Sequence, residues 1–273
     1  MIAVCLTTYN QENFIGQAIE SVLKQRCDEP LRLYIGDDAS TDNTSVICAD
    51  YATKNECIVL IRREQNIGIA ANTIDLYQRI VLDECEYIAM LDGDDYWIDD
   101  QKLQLELNYL RANHNVGLVH TASYDEIDGK YIDTDFENKP VGDVSLTYNL
   151  RGALHTNSTV VFRTALLRHL DLDLIKKQNF VILDYPLYGI FSQFTHFGYI
   201  YQYTTVWRNH SSVSHPIKLQ AFFYYTRERI RMWKWLDQCF PHRFHYSKKD
   251  AFIWFCGQVI ALFRKKYHFY LHK

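Results

Sequence analysis

Glycine-rich phosphate loops are missing from this chain. The residues after its first apolar run, Ile2–Leu6, read TTYNQEN, not the G-x-G-x-x-G that opens a dinucleotide-binding fold. No G-x-x-x-x-G-K-[ST] loop occurs either. A ligand phosphate would therefore have to be neutralised by something other than a cradle of backbone amides. Cysteine is present, with 7 residues, but no C-x-x-C pair occurs and the count is odd. That disfavours a disulfide framework or a zinc site, and favours reduced thiols and a cytoplasmic location. The N-terminal MIAVCLTTYN has no basic region and too short an apolar run for a signal peptide. No stretch reaches the roughly 18 apolar residues of a membrane-spanning helix. Internal repeats and low-complexity linkers are also lacking.

What is there reads as an ordinary globular composition, 48% apolar and 23% charged over 273 residues. That length accommodates one large α/β domain, or one domain with an extension. The net charge of −4 hides an asymmetry. Residues 217–273 carry 12 Lys and Arg against 3 Asp and Glu, whereas residues 1–216 carry 17 against 30. The acidic core argues against a nucleic-acid partner. A boundary is expected near His215-Pro216.

Four short apolar runs, Ile2–Leu6, Leu31–Ile35, Ile58–Ile61 and Tyr87–Leu91, have the length and residue types of buried strands. Between the first two, Ile15, Ala18, Ile19, Val22 and Leu23 recur at helical spacing, with Asn13 as the expected N-cap. Further helices are expected over about 43–53 and 69–82. Lys102 and Gln104 are assigned to another, after DGDDYW. This alternation predicts a mostly parallel sheet with helices on both faces. Each run is followed by polar residues: TTYN at 7–10, GDDASTDNT at 36–44, EQNIG at 64–68 and DGDD at 92–95. These sit at the carboxyl ends of strands, where open α/β sheets bind ligands. Asp92, Asp94 and Asp95 repel one another unless a cation arrives. Mg²⁺ or Mn²⁺, hard ions that take oxygen ligands and bridge to phosphates, meet that need.

The segments TTYNQENFIGQAIESVLKQ, IGDDASTDNT, NIGIAAN, LDGDDYWIDDQKLQ and LDYPLY together resemble the inverting family-2 glycosyltransferases of the GT-A fold. The resemblance spans residues 1–105 and fades after about 120. It implies a nucleotide-sugar-binding half over 1–105, an acceptor-binding half over 106–216 and a basic, aromatic helical tail over 217–273. It also implies a UDP-sugar donor and a glycan or lipid-linked acceptor, in surface polysaccharide assembly. Thr7 and Tyr9 would line the base pocket, and Asp38 would accept from uracil N3–H. Asn66, with Gly68, would border the nucleotide, and Asn72 the donor sugar. Asp92 and Asp94 would bracket ribose, diphosphate and sugar. Asp95 would be foremost for direct metal contact, with the division between Asp94 and Asp95 open, and His210, with His215 behind it, would complete the metal shell. Asp184 would be the general base. His155, Asn157 or Ser158 would shape the acceptor pocket.

Two other readings compete. A sugar nucleotidyltransferase would need a glycine-rich basic first loop, and a non-catalytic nucleotide- or carbohydrate-binding protein would leave Asp184 remote from the carboxylate cluster. In the tail, Phe222, Phe223, Thr226, Ile230 and Trp233 fall on one helical face, with Arg227, Arg231 and Lys234 beside it. That pattern suits docking on an anionic membrane surface at the inner face. Packing on the catalytic domain or a homodimer interface is the alternative.

Overall fold

The computed structural model describes residues 1–127, 129–133, 142–144, 156–181, 183–208 and 219–240. The chain divides into two compact units, Met1–His210 and Ser211–Lys273.

The first unit is built on one sheet. The four apolar runs form β1 (Ile2–Thr8), β2 (Leu31–Asp37), β3 (Ile58–Arg62) and β4 (Tyr87–Asp92), paired in parallel in the order β3-β2-β1-β4. All seven residues of β1 are buried. Such a strand is covered on both faces, which is why it is apolar throughout rather than alternating. β5 (Tyr96–Trp97), β6 (Val116–Ile127), β7 (Lys130–Asp133), β8 (Gly142–Val144), β9 (Val160–Arg163) and β10 (His196–Arg208) complete the sheet. β9 lies antiparallel between β4 and β6, and β10 runs parallel to β6. The fold is thus a mixed, mostly parallel sheet in its first half, flanked by helices.

The covering helices are α1 (Ile15–Leu23), α2 (Thr44–Lys54), α3 (Ile69–Leu82) and α4 (Lys102–Ala112), followed by α5 (Leu172–Gln178) and α6 (Asp184–Phe191). Ile15, Ala18, Ile19 and Val22 of α1 are buried against the sheet. Asn13 does not cap α1. The cap position is Phe14, with no side-chain bond, because the amides of Phe14 and Ile15 both turn back onto the Gln11 carbonyl. Gly68 precedes α3 at φ 86°, backbone that glycine adopts without strain.

α4 carries an unusual pair. Lys102 Nζ lies 2.5 Å from Glu106 Oε2, and neither side chain is exposed. The ammonium also reaches the Thr159 carbonyl at 3.3 Å and lies 4.8 Å from the centre of the Trp97 ring. Burial pushes the Glu106 carboxyl up to about 7 and the Lys102 amine down. Each charge is tolerated only because the other is present.

The second unit contains α7 (Leu219–Cys239). Thr226, Glu228, Met232 and Leu236 are buried, Ile230 and Trp233 only partly so, and Arg231 pairs with Glu228 at 2.6 Å. The side chains of Phe222 and Phe223 lie outside the described residues. Among the described residues no helix is long and apolar enough to cross a membrane.

Removing one member of the α4 pair should be far worse than removing both. Lys102→Ala strands a buried carboxyl and should lower stability by ~3–5 kcal/mol in urea unfolding. The double change Lys102→Met with Glu106→Leu should recover most of that loss. Equal losses would show that the pair is not coupled.

Candidate functional site

The parallel register brings the polar strand ends together. Thr7 of β1 pairs with Asp92 of β4, and Thr8 with Asp37 of β2. The Gly93 amide donates to the Thr7 carbonyl at 2.9 Å. A Cβ at Gly93 would lie 2.4 Å from Gln11 Oε1 and 2.9 Å from Thr8. Only glycine lets the β4 loop lie this close to the β1 loop. Tyr9 is 44% exposed at the rim.

At the end of β2, Asp37 Oδ1 accepts from the Ser40 amide and hydroxyl at 3.2 and 2.5 Å. The two oxygens of Asp38 accept from the amides of Ile67 and Gly68 at 2.8 and 2.9 Å. Asn66 Oδ1 accepts from the same Gly68 amide at 3.1 Å. Asp38 therefore holds the loop before α3 across the edge of the sheet. Asn72 ties the start of α3 to the end of β2. It is 1% exposed, donates to the Gly36 carbonyl at 2.8 Å and accepts from Arg63 Nε at 3.1 Å. Both ends of its amide are used by the protein.

The carboxylates after β4 separate into two environments. Asp95 has no solvent exposure. Its Oδ2 accepts from the Ser158 hydroxyl at 2.5 Å and the Thr156 hydroxyl at 3.4 Å, and its Oδ1 accepts from the Arg208 amide at 3.0 Å. A carboxylate so enclosed anchors the loop after β4. Burial, with Asp94 and Asp92 nearby, drives its pKa well upward. Asp92 is only partly buried by its whole-residue exposure. Desolvation, then the charges of Asp94 and Asp184, raise its pKa to about 7, and a hydrogen bond from Asn157 opposes them.

That influence locates Asp184. It is the first residue of α6, its Oδ1 accepting from the Tyr185 amide at 2.8 Å. Its charge acts on Asp92, Tyr188 and Tyr77 alike. Tyr188, one turn along α6, donates to Asn157 Oδ1 at 2.5 Å. A chain of contacts thus runs from α6 through Asn157 to the end of β4.

Ser158 ties these parts together. Its hydroxyl donates to Asp95 and accepts from the Asp92 amide at 3.1 Å, and its carbonyl accepts from Trp97 Nε1 at 2.8 Å. Asn157 and Ser158 belong to a short 3-10 turn, Asn157–Thr159, that forms the floor of the site.

Sequence reasoning missed Arg208. At the end of β10 its Nη1 donates to the Asp94 carbonyl at 2.7 Å, and Nε lies 3.3 Å from Glu126 Oε2. Nη2 donates to Gln17 Oε1, and the guanidinium stacks 4.3 Å from the Tyr96 ring centre. His155, His210 and His215 lie outside the described residues.

Ser158→Ala should remove the shortest donor to a buried carboxylate while leaving the fold otherwise unstrained. A loss of ~1–3 kcal/mol in chemical denaturation is expected. An unchanged midpoint would show that Asp95 does not depend on this hydroxyl.

The comparisons with known proteins fit this arrangement. An uncharacterized protein of Mycobacterium tuberculosis is 37% identical over 110 residues, 40% of this chain and 31% of that protein. The dTDP-rhamnosyl transferase RfbG of Shigella flexneri is 33% identical over 98 residues, 35% of this chain and 34% of that protein. The chain thus spans about a third of the length of these curated relatives. Among solved structures, residues 1–349 of TarS from S. aureus, in complex with UDP-GlcNAc, superpose with a TM-score of 0.62 at 17% identity, covering 92% of this chain and 69% of that one. The mannosyltransferase PcManGT from Pyrobaculum calidifontis, in complex with GDP-Man and Mn²⁺, gives 0.59 at 18% identity, covering 85% and 63%. These likenesses establish a GT-A fold. The family model described as Glycosyl transferase family 2 matches residues 3–170, from β1 through the turn that holds Asp95, and the chain belongs to that family.

Proposed function

We propose that this chain transfers a sugar from a UDP-sugar to a hydroxyl of a glycan or lipid-linked acceptor, with inversion at the anomeric carbon. The observation that carries this reading is that α6, which begins at Asp184, is tied through the Tyr188–Asn157 hydrogen bond to the turn whose Ser158 holds the Asp92 amide, at the strand end that also bears Asp94. A non-catalytic binding protein would have no need of that link. The family membership and the nucleotide-sugar complexes of the two structural relatives support a nucleotide-sugar donor, and the UDP-GlcNAc complex of TarS supports uridine as its nucleoside. The putative teichuronic acid biosynthesis glycosyltransferase TuaG of Bacillus subtilis, 32% identical over 110 residues, supports a place in polysaccharide assembly.

Asp92 and Asp94 offer hard oxygen donors whose burial and mutual repulsion a divalent cation would relieve. Among the described residues no group of three His, Cys, Asp or Glu side chains could cage a metal. The donor set therefore suits Mg²⁺ or Mn²⁺ that keeps water and takes diphosphate oxygens as further ligands. Bound there, the metal would stabilise the charge of the departing diphosphate. Asp94 is the carboxylate we assign to it, with Asp92 toward the ribose. His210 remains a proposed further ligand.

The chain's own residues do the rest. The half-exposed Tyr9 ring stacks on the base, beside Thr7. Asp38 shapes that pocket through the Ile67 and Gly68 amides, and a carboxylate that accepts two bonds has lone pairs left for uracil N3–H. Asn66 stabilises the same loop. Asp184 accepts the proton of the acceptor hydroxyl as it attacks, on the side of the sugar opposite the diphosphate.

The basic, aromatic composition of residues 217–273 supports docking on an anionic membrane surface, which suits a lipid-linked acceptor. Full-length protein should float with anionic liposomes at low salt, and a chain truncated after Pro216 should not. If neither floats, the tail is a packing or homodimer element.

Calorimetry separates the assigned roles. Asp94→Ala should abolish Mn²⁺-dependent UDP binding. Asp184→Asn should retain it while transfer falls by ~10²-fold or more. Desolvation and the charges of Asp94 and Asp184 raise Asp92 to about 7, and its ionised form favours a cation at the neighbouring Asp94, so metal-dependent UDP affinity should rise between about pH 6 and about pH 8. Full binding in excess EDTA would remove the metal, and a retained product anomer by NMR would remove Asp184 as base.

A further inference from the structure

A run of tyrosines begins two residues beyond Asp94. The Tyr96 ring lies under the Arg208 guanidinium, and its hydroxyl is 2.7 Å from that of Tyr131 on β7. Tyr131 stacks on Tyr124 of β6 with ring centres 5.8 Å apart and planes 17° apart. Tyr124 stacks on Tyr203 of β10 at 4.2 Å and 15°. Tyr201 closes the series edge-on, 5.7 Å from Tyr203. A ladder that served packing alone would bury its end members, yet Tyr131 is 56% exposed and Tyr201 44%.

The backbone is irregular at the same place. The pairing of β10 with β6 shifts register between Ile200 and Tyr203 and again between Tyr203 and Thr205. Bulges of this kind re-aim side chains and concentrate near functional sites. Carboxylates border the rings: Tyr203 donates to Asp133 Oδ1 at 2.5 Å, and the Tyr96 hydroxyl lies 3.4 Å from Glu126 Oε2. The surface thus combines apolar ring area, held rigid by stacking, with acceptor oxygens at its margin.

That combination selects a ligand class. A pyranose ring has an apolar C–H face, which meets the negative face of an aromatic ring favourably. Its hydroxyls are donors for carboxylates. Asp133 and Glu126 would repel a phosphate chain. We propose that Tyr131, Tyr124, Tyr203 and Tyr201 form a platform that binds a neutral oligosaccharide. Its continuity with Asp94 through Tyr96 makes it the acceptor side of the site, an assignment that rests on the transferase reading above.

The test uses saturation-transfer NMR with chitotetraose, cellotetraose and maltotetraose, without donor or metal. At least one should bind the unaltered chain. Tyr131→Ala and Tyr201→Ala should weaken that binding about tenfold or more, the scale of one lost aromatic contact. Tyr131→Phe should keep it, because the ring and not the hydroxyl carries the contact. Thermal melting checks that each variant is folded. The platform is overturned if none of the three sugars binds, or if both alanine variants bind as the unaltered chain does. UDP calorimetry on the unaltered chain tests the donor reading separately. A bound tetrasaccharide without UDP binding overturns that reading and supports the carbohydrate platform.

Discussion

A carboxylate with no access to water must find its donors within the protein, and Asp95 finds them in three separate parts of the chain. The Ser158 and Thr156 hydroxyls come from the turn before β9, and the Arg208 amide from the last residue of β10. Each donor lies more than 60 positions away, so the acidic end of β4 can be closed only when the second half of the sheet has folded onto the first. The same Ser158 hydroxyl accepts from the Asp92 amide. One oxygen therefore orders both the buried anchor and the strand end that carries the chemistry. A low local dielectric strengthens such a network when complete and penalises it heavily when one donor is missing.

The first half of the fold was legible because its signals are local. β1 to β4 are apolar runs bounded by polar loops, and α1 and α3 carry apolar residues at helical spacing, so their positions follow from neighbours in sequence. The carboxyl-edge rule then placed Asp92, Asp94 and Asp38 on one rim. The division of labour within DGDD was not legible. Asp94 and Asp95 are adjacent, and once a strand has ended no periodicity says which of two neighbours turns inward. The packing of Asn72 was hidden for a similar reason. Its two partners, Gly36 and Arg63, belong to another strand and another loop. A Cβ at Gly36 would lie 2.7 Å from Asn72 Oδ1, so this glycine and this asparagine are shaped for each other. No local pattern announces that fit. Arg208 was invisible too, because its role is set by Asp95, Asp94 and Glu126, none of them near it in sequence.

Arg208 also bears on the second cation proposed for the acidic edge. Its guanidinium reaches Asp94 at the main-chain carbonyl, and it pairs with Glu126 through Nε. Glu126 thus takes up much of the positive charge that Arg208 brings. The Arg208 amide satisfies Asp95 as a dipole, adding no net charge. Asp92 meanwhile is desolvated and remains under the combined influence of Asp94 and Asp184, which together raise its pKa to about 7. The fixed arginine therefore secures the loop geometry without neutralising the carboxylates that face the proposed donor. A permanent side-chain cation placed between them would suppress the basicity that the proposed proton abstraction by Asp184 requires. In the proposed mechanism, a cation that arrives with the diphosphate, and is balanced by its charge, would leave that basicity in place when the substrates are bound.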